Sequence, residues 1–309
     1  MIGGELPARL EAGGLVDGPG PLVVMLSGGR DSVCILDLAV RARGAEAVTA
    51  LHLNYGLREE AGGDEHHCAE LCQSLGVRFE VERPQRPEGA GNLQAWAREA
   101  RYAAAARLAE AQDAAIVTGH TADDQVETIL YRLASSPSRR ALLGMRQRSG
   151  RLARPLLTTT REETTAYCEE RGLDWRDDSS NEEAGYKRNL LRRELIPDLE
   201  RIHPAAKENV LRTAALLREE AELLDSLVDA ELAGTAPAGA IAQARFAELH
   251  PALRRLVLQR LADNAAGRPV PGAARFADQV AGLSRGGSTL DLGSGVRAVL
   301  ESGQLRAER

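Results

Sequence analysis

The chain has 309 residues, 43% hydrophobic, 27% charged and 3% aromatic, with a formal net charge of −6. That length suits about two domains on the rough prior of ~150 residues each, and the composition excludes a fibrous or disordered chain. The acidic balance argues against non-specific nucleic-acid binding over the whole surface. With no apolar run near the ~20 residues of a membrane span and no secretory leader pattern, the reading is cytoplasmic, without a membrane partner.

In chain order, the continuously apolar run Leu22 to Leu26 predicts a strand buried on both faces of a parallel sheet. It breaks at Ser27-Gly28-Gly29, and Ser32 to Arg43 has a helical pattern. A strand over Ala47 to Asn54, a helix over Asp64 to Leu75, a strand over Val77 to Val81, a helix over Leu93 to Ala111 and a strand over Ala114 to Thr118 follow. This alternation predicts an α/β domain, a parallel sheet wound with helices on both faces, spanning residues 1–203. A helix from Arg161 to Arg171, a polar loop through Asp177-Asp178-Ser179-Ser180-Asn181 and a basic stretch from Lys187 to Arg193 close it. Residues 204–309 read as a helical segment to about Leu232 and a small α+β domain. The latter holds a helix near Leu253 to Ala265 and a hairpin turning at Gly293-Ser294-Gly295.

Ligands of such sheets bind beyond the carboxyl ends of the strands, where Ser27 to Ser32, His52 to Arg58 and Gly119 to Glu127 fall. A glycine-rich turn between a buried strand and a helix aims backbone N–H groups at one point, which suits phosphate. Ser27 and Ser32 add hydroxyls. Asp31 would repel phosphate unless a cation lay between them, so Mg²⁺ on Asp31 is expected. Neither a Walker loop nor a dinucleotide GxGxxG is present. Asp124 and Glu127, three apart at the start of a helix, can face one pocket and hold an ammonium or Mg²⁺; Asp123 and Asp124 also suit the helix dipole. No acidic residue lies between Glu127 and Glu162 although eight arginines do, Arg139, Arg140 and Arg154 among them, a local basic segment fit for an RNA backbone. Cys34, Cys68, Cys72 and Cys168 form no CxxC pair and imply a reducing compartment.

The Ser27 to Ser32 segment, SGGRDS, resembles the SGGxDS loop of the N-type ATP-pyrophosphatases, adenine nucleotide alpha hydrolase-like enzymes that split ATP into AMP and pyrophosphate. Further motifs resemble those of the tRNA(Ile)-lysidine synthetases over nearly the whole chain. They are His52-Leu53-Asn54-Tyr55-Gly56-Leu57-Arg58, Asn92 to Tyr102 with Arg98 and Arg101, and Gly119 to Thr128. Arg154-Pro155-Leu156 and Asp178-x-Ser180-Asn181 with Arg188, Asn189 and Arg192 complete them. Three departures stand out. Tyr55 and Thr121 replace family histidines, and Ala134 to Arg140 replaces a glycine-containing loop.

The resemblance implies a ligase of tRNA modification that attaches L-lysine to the wobble cytidine of the CAU-anticodon isoleucine tRNA. It implies ATP at Ser27, Gly28, Gly29, Arg30, Asp31, Ser32, His52, Gly119 and His120. Catalytic roles fall to Asp31, Arg101, Asp124 and Arg188, lysine binding to Asp124 and Glu127, and tRNA binding to Arg139, Arg140 and Arg192. A homodimer is compatible with it, and against the longest family members a final domain is expected to be missing. A tRNA 2-thiolation enzyme of the same superfamily is the alternative, disfavoured because its cluster-holding members use CxxC pairs.

Overall fold

A computed structural model of the chain describes residues 6–8, 20–56, 61–87, 89, 91–136, 139–176, 186–233, 239–283 and 287–309, the side chains of Tyr186 and Arg188 excepted. The loop Asp177 to Asn181, Leu57 and Arg58, Pro137 and Ser138, and the expected role of the Arg188 side chain therefore lie outside the described residues.

Strand β1 (Leu22–Met25) shows why the apolar run needs no polar alternation. Leu22, Val24 and Leu26 enter one hydrophobic core while Val23 and Met25 enter another, so both faces of the strand are covered. Helix α1 (Arg30–Arg43) follows, with Asp31 in its first turn and Arg41 and Arg43 in its last, each opposing the helix dipole at its own end. Next come β2 (Val48–Leu53), α2 (Ala61–Leu75), β3 (Arg78–Glu82), α3 (Leu93–Ala111) and β4 (Ala115–Val117). After α4 (Ala122–Ser135), the short strands β5 (Arg148–Ser149) and β6 (Leu152–Ala153) complete a sheet of order β3-β2-β1-β4-β6-β5. Its pairs are parallel except β5 on β6. The strand order reverses between β1 and β4, so the crevice beyond their carboxyl ends is where a ligand of this sheet would lie.

Helices α1, α2 and α5 (Arg161–Arg171) supply Ile35, Leu36, Cys68, Cys72, Tyr167 and Cys168 to the first core, and α3 lays Ala104, Ala105 and Ala109 on the second. Helix α5 is fastened to α1 by a buried polar contact. The Tyr167 hydroxyl donates to Asp37 Oδ2 at 2.5 Å, Arg171 Nε donates to the same oxygen at 3.3 Å, and Asp37 is 1% exposed. Burial and that bond push the Tyr167 phenol up, so it stays a donor.

The chain continues through α6 (Tyr186–Leu190), a π-helical turn (Leu191–Leu195), α7 (Ile196–Ile202) and α8 (Ala206–Ala233). Leu191 and Ile196 pack on Val126 and Leu130 of α4. Two compact units, Met1–Ala215 and Leu216–Arg309, divide inside α8, where the sequence reading sets its boundary at 203/204. The second unit adds β7 (Ala240–Ala242), α9 (Gln243–Glu248), α10 (Pro251–Ala266), α11 (Ala277–Ala281), β8 (Ser288–Gly293), β9 (Val296–Glu301) and β10 (Gln304–Glu308). These strands form an antiparallel sheet of order β7-β10-β9-β8 around Phe246, Leu258 and Leu292. The predicted hairpin turns through φ of 92°, 56° and 76° at Gly293, Ser294 and Gly295, which explains its glycines. No described helix is long and apolar enough to cross a membrane.

Candidate active site

The loop after β1 is built from its own side chains. Ser32 Oγ donates to the Gly29 carbonyl at 2.7 Å and accepts from the Ser27 N–H at 3.2 Å and the Ser27 hydroxyl at 3.1 Å. Gly28 holds φ at 86° directly over α2, where a Cβ would come within 3.2 Å of Cys68 Sγ. The loop is thereby presented with the first turn of α1, where the Ser32 and Val33 N–H groups donate to the Gly29 carbonyl at 2.9 and 3.0 Å and the two N–H groups before them can find no partner inside the helix. Asp31 stands at its mouth, accepting on Oδ1 from Thr164 Oγ1 at 2.6 Å and from Arg30 Nε at 3.1 Å. Gly119, after β4, closes against this turn, since a Cβ there would lie 2.5 Å from the Asp31 carbonyl oxygen.

Thr121 and Asp124 form a capping box at the start of α4, in which the Asp124 side chain accepts from the Thr121 N–H at 3.0 Å. Only Oδ2 is spent on the cap. Oδ1 faces Arg161, whose Nη2 donates to it at 2.6 Å while Nη1 donates to Glu127 Oε1 at 3.0 Å. Arg192 adds a second guanidinium to Glu127, with Nε 2.8 Å from Oε1 and Nη2 3.3 Å from Oε2. Arg161 Nε also lies 4.0 Å from Asp31 Oδ2, so one arginine links the mouth of the Ser27 to Ser32 loop to the acidic pair. Burial alone would raise the Asp124 carboxyl, but Arg161, the Thr121 N–H and Arg192 outweigh it and hold it below the usual carboxylate range. Asp123 is turned to structure, accepting from the Arg161 backbone N–H at 2.9 Å and from Lys207 Nζ at 3.2 Å.

The two histidines differ in kind. His52 donates from Nδ1 to the Leu26 carbonyl at 3.0 Å and is 5% exposed, so it fastens β2 to the loop after β1. His120 stands at the end of β4, bonded to the Thr118 hydroxyl at 2.8 Å. Burial pushes His120 down to about 4, against the opposing pull of Asp124 and aided by Arg154, Arg98 and Arg101, so it is an uncharged imidazole at neutral pH. Arg101 is positioned by the first of the departures. The Tyr55 hydroxyl donates to the Ala97 carbonyl at 2.9 Å and accepts from Arg101 Nε at 3.3 Å. Thr121, the second departure, is the cap of α4 and fully buried.

The predicted RNA-facing arginines separate. Arg139 and Arg140 sit in a short 3-10 turn (Arg139–Leu143), held to α4 by Gln125, which donates to the Met145 carbonyl at 2.9 Å and accepts from its N–H at 2.7 Å. Arg192 lies instead in the π-helical turn with its half-exposed guanidinium on Glu127 of the acidic pair. Arg161 and Thr164 are the site residues that sequence reading missed. Both come from α5, and nothing local in the sequence says that its first turn meets Asp31.

All four cysteines are buried and unpaired. Burial pushes Cys68 and Cys72 up to about 12, and the hydrogen bond between Cys34 and Cys168, with burial, pushes Cys34 up as well. Among the described residues no group of three or more His, Cys, Asp and Glu is placed to hold a metal ion. Asp31 is a single hard oxygen donor, which suits a Mg²⁺ that takes most of its ligands from phosphates and water.

The family profile described as PP-loop domain matches residues 12–199. A tRNA(Ile)-lysidine synthase of Thermus thermophilus is 41% identical over 257 residues, covering 81% of this chain and 50% of that protein. One of Pseudomonas aeruginosa is 41% identical over 217 residues, covering 68% and 48%. The chain thus spans about half the length of these curated relatives. Among solved structures, a tRNA thiolase of Methanococcus maripaludis shares the fold at a TM-score of 0.60 and 16% identity, over 70% of this chain and 79% of that one.

Proposed function

This chain belongs to the PP-loop family, and on that premise we propose that it ligates L-lysine to carbon 2 of the wobble cytidine of the CAU-anticodon isoleucine tRNA, consuming ATP. The observation that carries the reading is the single cluster in which Asp31 of the phosphate loop and the acidic pair Asp124 and Glu127 meet through Arg161. A nucleotide phosphate and a substrate ammonium need opposite surroundings, and here the two surroundings lie within the reach of one side chain.

In the first step the oxygen on carbon 2 attacks the α-phosphate of ATP and pyrophosphate leaves. In the second, the ε-amine of lysine attacks carbon 2 and AMP leaves, giving lysidine. The loop from Ser27 to Ser32 and the first turn of α1 would cradle the phosphates. Asp31 would hold Mg²⁺, which supplies charge neutralisation on the phosphates when bound. Arg101, and Arg188 by resemblance, would offset the charge that develops on the adenylate. Asp124 and Glu127 would bind the lysine ammonium. His120, uncharged at neutral pH, would act as a hydrogen-bonding partner of the nucleotide, not as a cation.

The target base must be reached in a single-stranded loop, and Arg139, Arg140 and the second unit are the proposed tRNA contacts. A cytoplasmic location and a homodimer belong to the same reading. Thiolation is the weaker alternative, because buried thiols held well above neutrality are poor nucleophiles.

The test is incubation with the CAU-anticodon isoleucine tRNA, ATP and radiolabelled lysine. Label should enter the tRNA with stoichiometric pyrophosphate release. Release that needs neither tRNA nor lysine, or no incorporation of label, would sink the proposal.

A further inference from the structure

The acidic pair is already occupied by cations of the protein itself. Arg161 spreads its two amino groups over two carboxylates, Nη2 on Asp124 at 2.6 Å and Nη1 on Glu127 at 3.0 Å. It therefore fills the gap that one ammonium bridging both carboxylates would take. Its backbone is pinned, since the Arg161 N–H donates to Asp123 Oδ2 and Thr160 caps α5 with a capping box. Exposure decides the order of approach. The Glu127 side chain is 4% exposed, whereas Arg161 is 20%, Asp124 26% and Arg192 38%, so a solute from water meets Asp124 and the guanidinium groups before it meets Glu127.

We propose that Arg161 is a resident stand-in for the substrate's ammonium, which lysine must displace to bind, and that this competition sets lysine affinity and selectivity. The inference rests on the lysine reading above and deepens it. A pocket of close carboxylates left empty would carry strong mutual repulsion and would attract any small cation from solution. A guanidinium in place suppresses both, and it excludes an amine too weakly held to replace a two-pronged, charge-assisted grip. Because Arg161 Nε also stands 4.0 Å from Asp31 Oδ2, the displaced side chain stays next to the phosphate loop, which couples the amine site to the nucleotide site.

The sign of one measurement separates this role from a merely structural one. Removing a structural ion-pair partner weakens a neighbouring binding site, whereas removing a competitor strengthens it. Equilibrium dialysis of radiolabelled L-lysine against the full chain, without ATP or tRNA, should show Arg161→Gln binding lysine roughly tenfold more tightly than the unaltered protein, about 1.4 kcal/mol. Norleucine, which lacks the ε-amine, should bind the two proteins equally.

Should Arg161→Gln not fold, Arg161→Lys trades the two-pronged grip for a single ammonium and should tighten lysine by about threefold. Equal or weaker lysine binding in a folded variant overturns the inference. If the unaltered protein incorporates lysine into tRNA while that reversal is seen, only the stand-in role fails. If it incorporates none and neither protein binds lysine, the lysine reading itself fails.

Discussion

Replacing Gly119 with alanine perturbs the joint between β4 and the turn that carries Asp31 and Ser32. The new Cβ would lie 2.5 Å from the Asp31 carbonyl oxygen, 2.7 Å from its carbonyl carbon and 3.1 Å from the Ser32 nitrogen. All three are backbone atoms, so no side chain can swing away. Ordinary contact begins near 3.4 Å, so the two segments must part by close to 1 Å. Overpacking of that kind costs about 1–3 kcal/mol of stability. A displacement of about 1 Å at a reacting centre lowers turnover by roughly 100-fold. Urea unfolding and single-turnover pyrophosphate release should show both losses together. Gly62→Ala is the control, because Gly62 lies in α2 with open space around its Cβ position, and that change should gain up to about 1 kcal/mol. If Gly119→Ala unfolds within about 0.5 kcal/mol of the parent and turns over within twofold, the close approach of β4 to the loop does not shape the site.

Asp31→Ala should abolish tRNA-dependent pyrophosphate release without lowering stability by more than about 1 kcal/mol, because its carboxylate is partly exposed; unchanged release would remove Asp31 from the mechanism. Changing Arg139 and Arg140 together to alanine should weaken tRNA binding, flatten its salt dependence by about one to two ions and leave ATP affinity intact, as read by filter binding at several salt concentrations. The opposite pattern would move the Arg139–Leu143 turn to the nucleotide pocket. Acid should destabilise the fold through His120. Its folded value near 4 lies below its ordinary 6.5, so between those limits the unfolded chain binds the proton and the folded chain does not. Stability should therefore fall as pH drops from about 6.5 to 4, by at most roughly 3 kcal/mol at 1.36 kcal/mol per unit. Asp124, held low in the fold, adds a loss in the same direction at still lower pH. Urea unfolding at pH 7 and 4.5, repeated on His120→Asn, checks the histidine's share; identical slopes in both proteins would contradict it.

What could be read in the residues themselves was everything local. The run Leu22 to Leu26 announced a strand covered on both faces, and the sheet has cores on both sides of it. SGGRDS announced a turn between strand and helix, which the structure has, and Asp124 and Glu127, three residues apart along a helix, return to one face, where both meet Arg161. The hairpin at Gly293 to Gly295 followed from the left-handed backbone that glycine tolerates. What only the tertiary structure decided is who answers those groups. Arg161 is thirty-odd residues from its carboxylate partners, and the start of its helix is held by Asp123 on the Arg161 N–H and by Thr164 on Asp31. Arg192, grouped in the sequence with the RNA-facing arginines, is carried by the π-helical turn onto Glu127 of the acidic pair. Ion pairs of this kind leave no periodicity behind, since the energy of a contact depends on distance through space and a guanidinium looks the same in the sequence whether it meets water, phosphate or Glu127.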